Sequence, residues 1–184
     1  MQGHSVSYSQ TTLTELMIPA YTNFGGKIHG GILLSLMDKV AYVCASKHAG
    51  NYCVTVSVDN VNFIAPVEVG DLVSLKASVN YVGSTSLVVG IRVIAENVQH
   101  GTVKHTNTCY FTMVAKDSEG VKAQVPPLIL EQPDDIRRFA SALRRRTLRS
   151  NVSKRMQDFK TDFEVNDEVR DFIADQRCEI NLVD

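Results

Sequence analysis

The sequence predicts an α+β domain in which an antiparallel sheet curls around one long helix. Three observations carry this expectation. A single proline-free apolar stretch covers residues 30–48, four long runs rich in β-branched residues follow it, and the links between those runs are short and polar. A chain of 184 residues suits one such domain plus a tail and is short for two.

The opening MQGHSVSYSQTTLTEL has neither a basic nor an apolar targeting region, and no uncharged apolar run is long enough to cross a bilayer. A soluble, cytoplasmic protein without a membrane span is therefore expected. Residues 13–28 contain Pro19, Asn23 and a Gly25-Gly26 pair, which predicts a short strand and then an irregular loop. The loop ends at His29-Gly30-Gly31. From there ILLSLMDKVAYVCASKHAG runs to the stop signal Gly50, so a helix is assigned to residues 30–48. Leu33, Leu36, Val40 and Val43 follow helical spacing, while Ile32, Leu34, Met37, Ala41, Cys44 and Ala45 spread the apolar surface most of the way round. Such a helix is expected to be nearly enclosed.

The runs YCVTVSVDNVNF, DLVSLKASVNYV, TSLVVGIRVIAENV and KHTNTCYFTMVAK read as strands. GSTS (83–86) and QHGTVK (99–104) fit hairpin turns, and IAPVEVG (64–70) fits a wider one. Residues 125–133 are a proline-punctuated linker, and 134–149 form a helix with acidic residues at its start and arginines near its end, as the helix dipole prefers. The expected organisation is a domain over 1–124, a linker and basic helix packing on it over 125–149, and an acidic tail over 150–184, partly helical or flexible.

Composition narrows the function classes. Lysine and arginine total 19 against 20 aspartate and glutamate, a net charge of -1, which gives no reason to expect nucleic acid as a partner. The four cysteines lie far apart without a CxxC pair, and His48, His100 and His105 have no metal-ligand spacing, so buried free thiols and no metal are expected. There is no GxSxG elbow and no flavin or nicotinamide signature, so the expected chemistry needs no cofactor beyond water.

The chemistry-bearing stretch is NFGGKIHGGILLSLMD, residues 23–38. Gly31 and Asp38 are seven residues apart, about two helical turns, and so share a face. Backbone N–H groups at the helix start lack intrahelical acceptors, and Gly30 and Gly31 let a ligand carbonyl approach them, which makes an oxyanion site. A carboxylate on a mostly apolar helix is costly unless paired or useful, which singles out Asp38. It could deprotonate a water or attack directly, and Asn23 in the preceding loop could position that water or donate to a carbonyl. Ser57, the Ser84-Thr85-Ser86 turn and the cluster Arg144, Arg145 and Arg146 offer hydroxyls, backbone amides and guanidiniums, the last of which match phosphate oxygens or serve as a solvated helix end.

The stretches NFGGKIHGGILLSLMDKVAY, CVTVSVDNVNF and GDLVSLKASVNYVGSTSLVVGIRV resemble the acyl-CoA thioesterases of the hotdog superfamily, the group that includes brain-type and bacterial long-chain acyl-CoA hydrolases. The resemblance extends over residues 10–149 and implies a hotdog fold that hydrolyses fatty acyl-CoA, coenzyme A being part of substrate and product. It implies that Asn23 and Asp38 form the active site across a dimer seam, with Gly30 and Gly31 at the helix start. It further implies coenzyme A contacts at Val56, Ser57 and Val58, at Thr85, Ser86 and Leu87, and at Arg144 or Arg145, and self-association as a dimer and then a trimer of dimers. A non-catalytic acyl-CoA or nucleotide-binding module would fit a chain lacking Asn23 or Asp38, and both are present.

Overall fold

The central helix, α2 (Gly30–Ala49), follows from its ends as much as from its middle. His29 caps the start with its ring, and Gly50, at φ 65°, stops it in the left-handed conformation that glycine adopts without strain. The computed structural model describes residues 1–161 and 163–181. Around α2 run a short strand β1 (His4–Ser5), a single helical turn α1 (Val6–Ser9) and strands β2 (Thr11–Leu16), β3 (Tyr52–Val58), β4 (Asp71–Val82), β5 (Ser86–Asn97) and β6 (Thr102–Lys116). A two-residue strand β7 (Leu128–Ile129) precedes helices α3 (Pro133–Thr161) and α4 (Asp167–Ile173).

The five long strands form one antiparallel sheet in the order β2-β4-β5-β6-β3. Helix α2 lies between β2 and β3 in sequence, and these are the two opposite edges of the sheet. It therefore crosses the whole width: four inter-strand steps of about 4.8 Å, against a helix of about 30 Å. Register shifts at Val56, Asn80 and Thr106 mark bulges that bend β3, β4 and β6. The curled sheet and single crossing helix form a hotdog fold, as expected.

Enclosure of α2 differs from the expectation. Leu33, Leu36, Met37, Val40, Ala41, Cys44 and Ala45 are buried against the sheet, but Leu34, Tyr42 and Val43 stay 38 to 42% exposed on the other side. One curled sheet covers one face of a helix, and Asp38 lies on the uncovered face. Strand β3 also ends earlier than expected, at Val58, and α3 runs on past residue 149 to Thr161.

The chain divides into two compact units, Met1–Leu143 and Arg144–Asp184, with the boundary inside α3. In the first unit, Arg138 donates to Ser78 Oγ at 3.1 Å, Ser78 donates to Asn80 Oδ1 at 3.2 Å, and Phe139 packs on Tyr81. These contacts explain polar residues buried on β4. They also explain Gly90, where a Cβ would overlap the Asn80 amide. Cys44, Cys53 and Cys109 are buried free thiols, and burial pushes the Cys44 and Cys109 thiols up to about 12. No helix among the described residues is long and apolar enough to cross a membrane.

His48, fully buried near the end of α2, ties the N-terminal segment to the linker. Its Nε2 is 3.1 Å from the Pro126 carbonyl, Nδ1 is 3.5 Å from Ser9 Oγ, and its own carbonyl is 3.0 Å from His4 Nδ1. Burial lowers its pKa below the ordinary 6.5, with the nearby His4 acting in the same direction and the Pro126 carbonyl opposing. The unfolded chain then takes up the proton first, so this contribution is complete above pH 6.5 and is lost as pH falls towards the depressed value. The melting temperature is expected to fall between pH 7.5 and 5.5 and to fall less steeply in His48→Gln. Equal slopes in the two proteins would remove His48 from the acid response.

Candidate functional site

Asp38 stands two turns into α2, exposed on the face that the sheet leaves open. Its Oδ1 accepts a 2.6 Å hydrogen bond from the hydroxyl of Thr55 on β3. Thr55 Oγ also lies 3.2 Å from Met113 Sδ, but one hydroxyl proton serves one acceptor, and a carboxylate is much stronger than a thioether. The second carboxylate oxygen stays open to solvent chemistry. Below it lies a hollow of about 470 Å³ lined by Leu34, Val58, Val61, Phe63 and Phe111, with Asp59 as a second carboxylate in its wall. An apolar hollow with a carboxylate at its lip suits a substrate that has a hydrocarbon part and a group needing water.

Asn23 is held in the loop before α2 by its own side chain. Oδ1 accepts the Gly25 N–H at 2.9 Å and the Lys27 N–H at 3.2 Å, while the Asn23 N–H donates to the Lys27 carbonyl at 2.7 Å. Two backbone donors on the oxygen settle which end of the amide is which, so Nδ2 points outwards as a donor. The side chain can give a hydrogen bond to a carbonyl; its acceptor is already in use. A 2.8 Å ion pair between Lys27 and Glu68 ties the loop to the turn before β4.

Asn23 borders a separate hollow of about 410 Å³ with Gly30, Leu33, Pro66 and Phe63. Phe63 forms a wall of both hollows. Within one chain, then, the two residues open into neighbouring hollows and do not converge on one.

At the helix start the Gly31 N–H donates to His29 Nδ1 at 2.8 Å. A Cβ on residue 31 would come within 2.8 Å of that ring nitrogen, so a larger residue there would force the His29 ring to turn away. Among the described residues the Gly30 N–H has no acceptor, and the Gly30 Cα faces the Phe63 ring. Gly30 is therefore the free amide of the pair, and Gly31 joins it only if His29 turns aside.

The expected coenzyme A segments share one end of the sheet. Leu87, Met113 and Thr55 are paired in one row across β5, β6 and β3. Thr85 precedes β5 and Ser86 opens it at that end, and Val56 and Val58 are 56 and 42% exposed on the edge strand, with Ser57 between them. Leu87 is fully buried, so its side chain cannot touch a ligand. Arg144 and Arg145 belong to α3 in the second unit.

Thr55 was missed from sequence, although a signal existed. Cys53 is buried towards the helix, and in a strand a residue two positions on faces the same way. That face of β3 looks towards α2, and the polar side chain that Thr55 meets there is Asp38.

Comparison with known proteins adds ancestry to this geometry. Residues 25–102 match the family described as the thioesterase superfamily. Over 138 residues the chain is 44% identical to protein VdlD of Helicobacter pylori, covering 75% of this chain and 79% of that one. A solved apo-hexameric acyl-CoA thioesterase superposes with a TM-score of 0.80 at 34% identity, over 83% of this chain and 98% of its own. The acyl-CoA hydrolase of Staphylococcus aureus, solved with butyryl coenzyme A and coenzyme A, gives a TM-score of 0.76 at 30% identity, over 86% of this chain and 98% of its own. Mutant structures of the Staphylococcus enzyme change to alanine an asparagine, an aspartate fifteen residues on, and a threonine seventeen further. Asn23, Asp38 and Thr55 are spaced the same way.

Proposed function

We propose that this chain, which belongs to the thioesterase superfamily and is a thioester hydrolase, cleaves fatty acyl-CoA to free fatty acid and coenzyme A at Asp38. The observation that carries this reading is the Asp38 carboxylate at the lip of an apolar hollow, with one oxygen held by Thr55 and the other open. The acyl chain occupies the hollow. Asp38 either takes a proton from water as that water adds to the carbonyl carbon, or adds to the carbon itself to give an anhydride that water then opens. In both routes the C–S bond breaks and the coenzyme A thiolate leaves to be protonated. The Asn23 amide and the Gly30 N–H donate to the oxygen that becomes negative. Backbone groups and hydroxyls of Val56, Ser57, Val58, Thr85 and Ser86 meet the pantetheine arm, and Arg144 or Arg145 the phosphates.

The protein self-associates in this reading, first as a dimer. Among the described residues edge strand β3 has no partner on its outer side, and it carries exposed Tyr52, Val56 and Val58, with Leu34, Tyr42 and Val43 beside it on α2. Such an edge beside an uncovered apolar face invites a second copy. Asn23 of one protomer then serves Asp38 of the other, which accounts for their separate hollows within one chain. Three dimers make the hexamer, in keeping with the hexameric thioesterase that the fold matches.

Thiol release from acetyl-, butyryl- and palmitoyl-CoA tests the activity, and no release at any chain length would end it. Thr55→Val is expected to lower turnover by about tenfold with little change in the Michaelis constant, because it loosens the base without touching the bound chain. Thr55→Ser should restore most of the rate. If valine is as active as threonine, the Thr55 bond is structural.

A further inference from the structure

Residues 144–161, the part of α3 in the second unit, carry seven basic side chains against one acidic, Asp158, for a formal charge of +6. At about 100° per residue, Leu148, Val152, Met156 and Phe159 fall within about 80° of arc on this helix. They are 64, 59, 50 and 56% exposed. Arg155 flanks that stripe on one side, and Arg149 and Lys160 flank it on the other. Ser150, Lys154 and Gln157 face away from it. The apolar residues thus form a strip with long cationic side chains along both margins.

Each element of this pattern has a physical use at a bilayer interface. The apolar strip enters the boundary between headgroups and acyl chains, and flanking arginine and lysine stems lie along it with their charges reaching back to the phosphates. We propose that residues 144–161 dock the enzyme on an anionic lipid surface. The inference does not depend on the chemistry assigned to Asp38.

Two other occupants fit less well. A second copy of the same helix would bury the strip but would set its cationic margins against those of its partner, +6 facing +6. Nucleic acid would satisfy the cations and leave four large apolar side chains in water, in a protein whose net charge is -1. An anionic membrane takes up both the strip and the margins.

The full-length protein should sediment with phosphatidylcholine vesicles containing phosphatidylglycerol about tenfold more strongly than with phosphatidylcholine alone, and added salt should weaken that binding. The double variant Val152→Asp, Phe159→Asp should lose it by about tenfold or more, and Arg149→Glu with Arg155→Glu should lose it to a similar degree. Both variants should keep wild-type thiol release from acetyl-CoA and the wild-type mass by light scattering. No binding to anionic vesicles at low salt overturns the proposal. So does undiminished binding of the aspartate variant, which would make the helix a polyanion site for nucleic acid. A fall in mass in that variant would make the strip a contact between copies of the chain and likewise overturn it.

Discussion

Asp38→Ala is expected to lower turnover of acyl-CoA by about two orders of magnitude or more while leaving the fold intact. The fold survives because the side chain is exposed and, among the described residues, its one hydrogen bond is that from Thr55, whose hydroxyl can turn to Met113 Sδ or to water. The rate falls because the carboxylate that holds an open oxygen beside Thr55 is lost; Asp59, the second carboxylate in the wall of the hollow, follows the end of β3. Asp38→Asn separates the two contributions. It keeps an acceptor for Thr55 and matches the carboxylate in shape, but it neither takes a proton nor attacks a thioester. Equal losses in alanine and asparagine variants are expected, read as thiol release at saturating palmitoyl-CoA beside melting curves. More than half of wild-type activity in the alanine variant would remove Asp38 from the chemistry.

Mixing two inactive proteins is expected to restore activity. Asn23→Ala should lose about two orders of magnitude through the missing donor to the developing oxyanion. If Asn23 and Asp38 meet across a two-fold seam, a mixed dimer of Asn23→Ala and Asp38→Ala holds one site with both native residues and one with neither. Random exchange makes half of the dimers mixed, so about a quarter of all sites recover. A recovery of that size after exchange, with each variant alone inactive, is the expected result. Proven exchange without recovery would put both residues to work in a single chain, and full activity in a monomer at micromolar concentration would remove the seam altogether.

The long elements were legible because their signals are local. The helix from Gly30 is bounded by a capping residue and a glycine, and β4 to β6 by hairpin turns, each readable within a dozen residues. Asn23, Asp38 and the paired glycines stood out because a carboxylate on an apolar helix and an amide beside two glycines are locally unusual. What remained hidden depended on partners distant in the chain. Thr55 gains its meaning from Asp38 across the gap between β3 and α2. The capping of Gly31 by the His29 ring depends on a rotamer. The parallel pairing of His4 and Ser5 with Leu128 and Ile129 joins segments that no periodicity connects. Helix α3 was cut short at residue 149 because the polar stretch after it resembles a tail; its apolar residues recur at spacings of four and three, and these support a continuing helix.

The crossing of α2 between opposite edges of the sheet also sets an order of folding. Strands β4, β5 and β6 are joined by short hairpins and can pair as soon as each turn closes. The edges must wait for distant partners: Thr11 pairs with Ala77, and Tyr52 with Lys116. Asn23, Asp38 and Thr55 all belong to the stretch running from one late edge through the helix to the other. The meander is therefore expected to form first, with the reactive residues docking onto it last. Amide hydrogen exchange should follow the same gradient, slowest in β5 and fastest along β2 and β3. A substitution in β5 should slow refolding, whereas one in β3 should chiefly hasten unfolding.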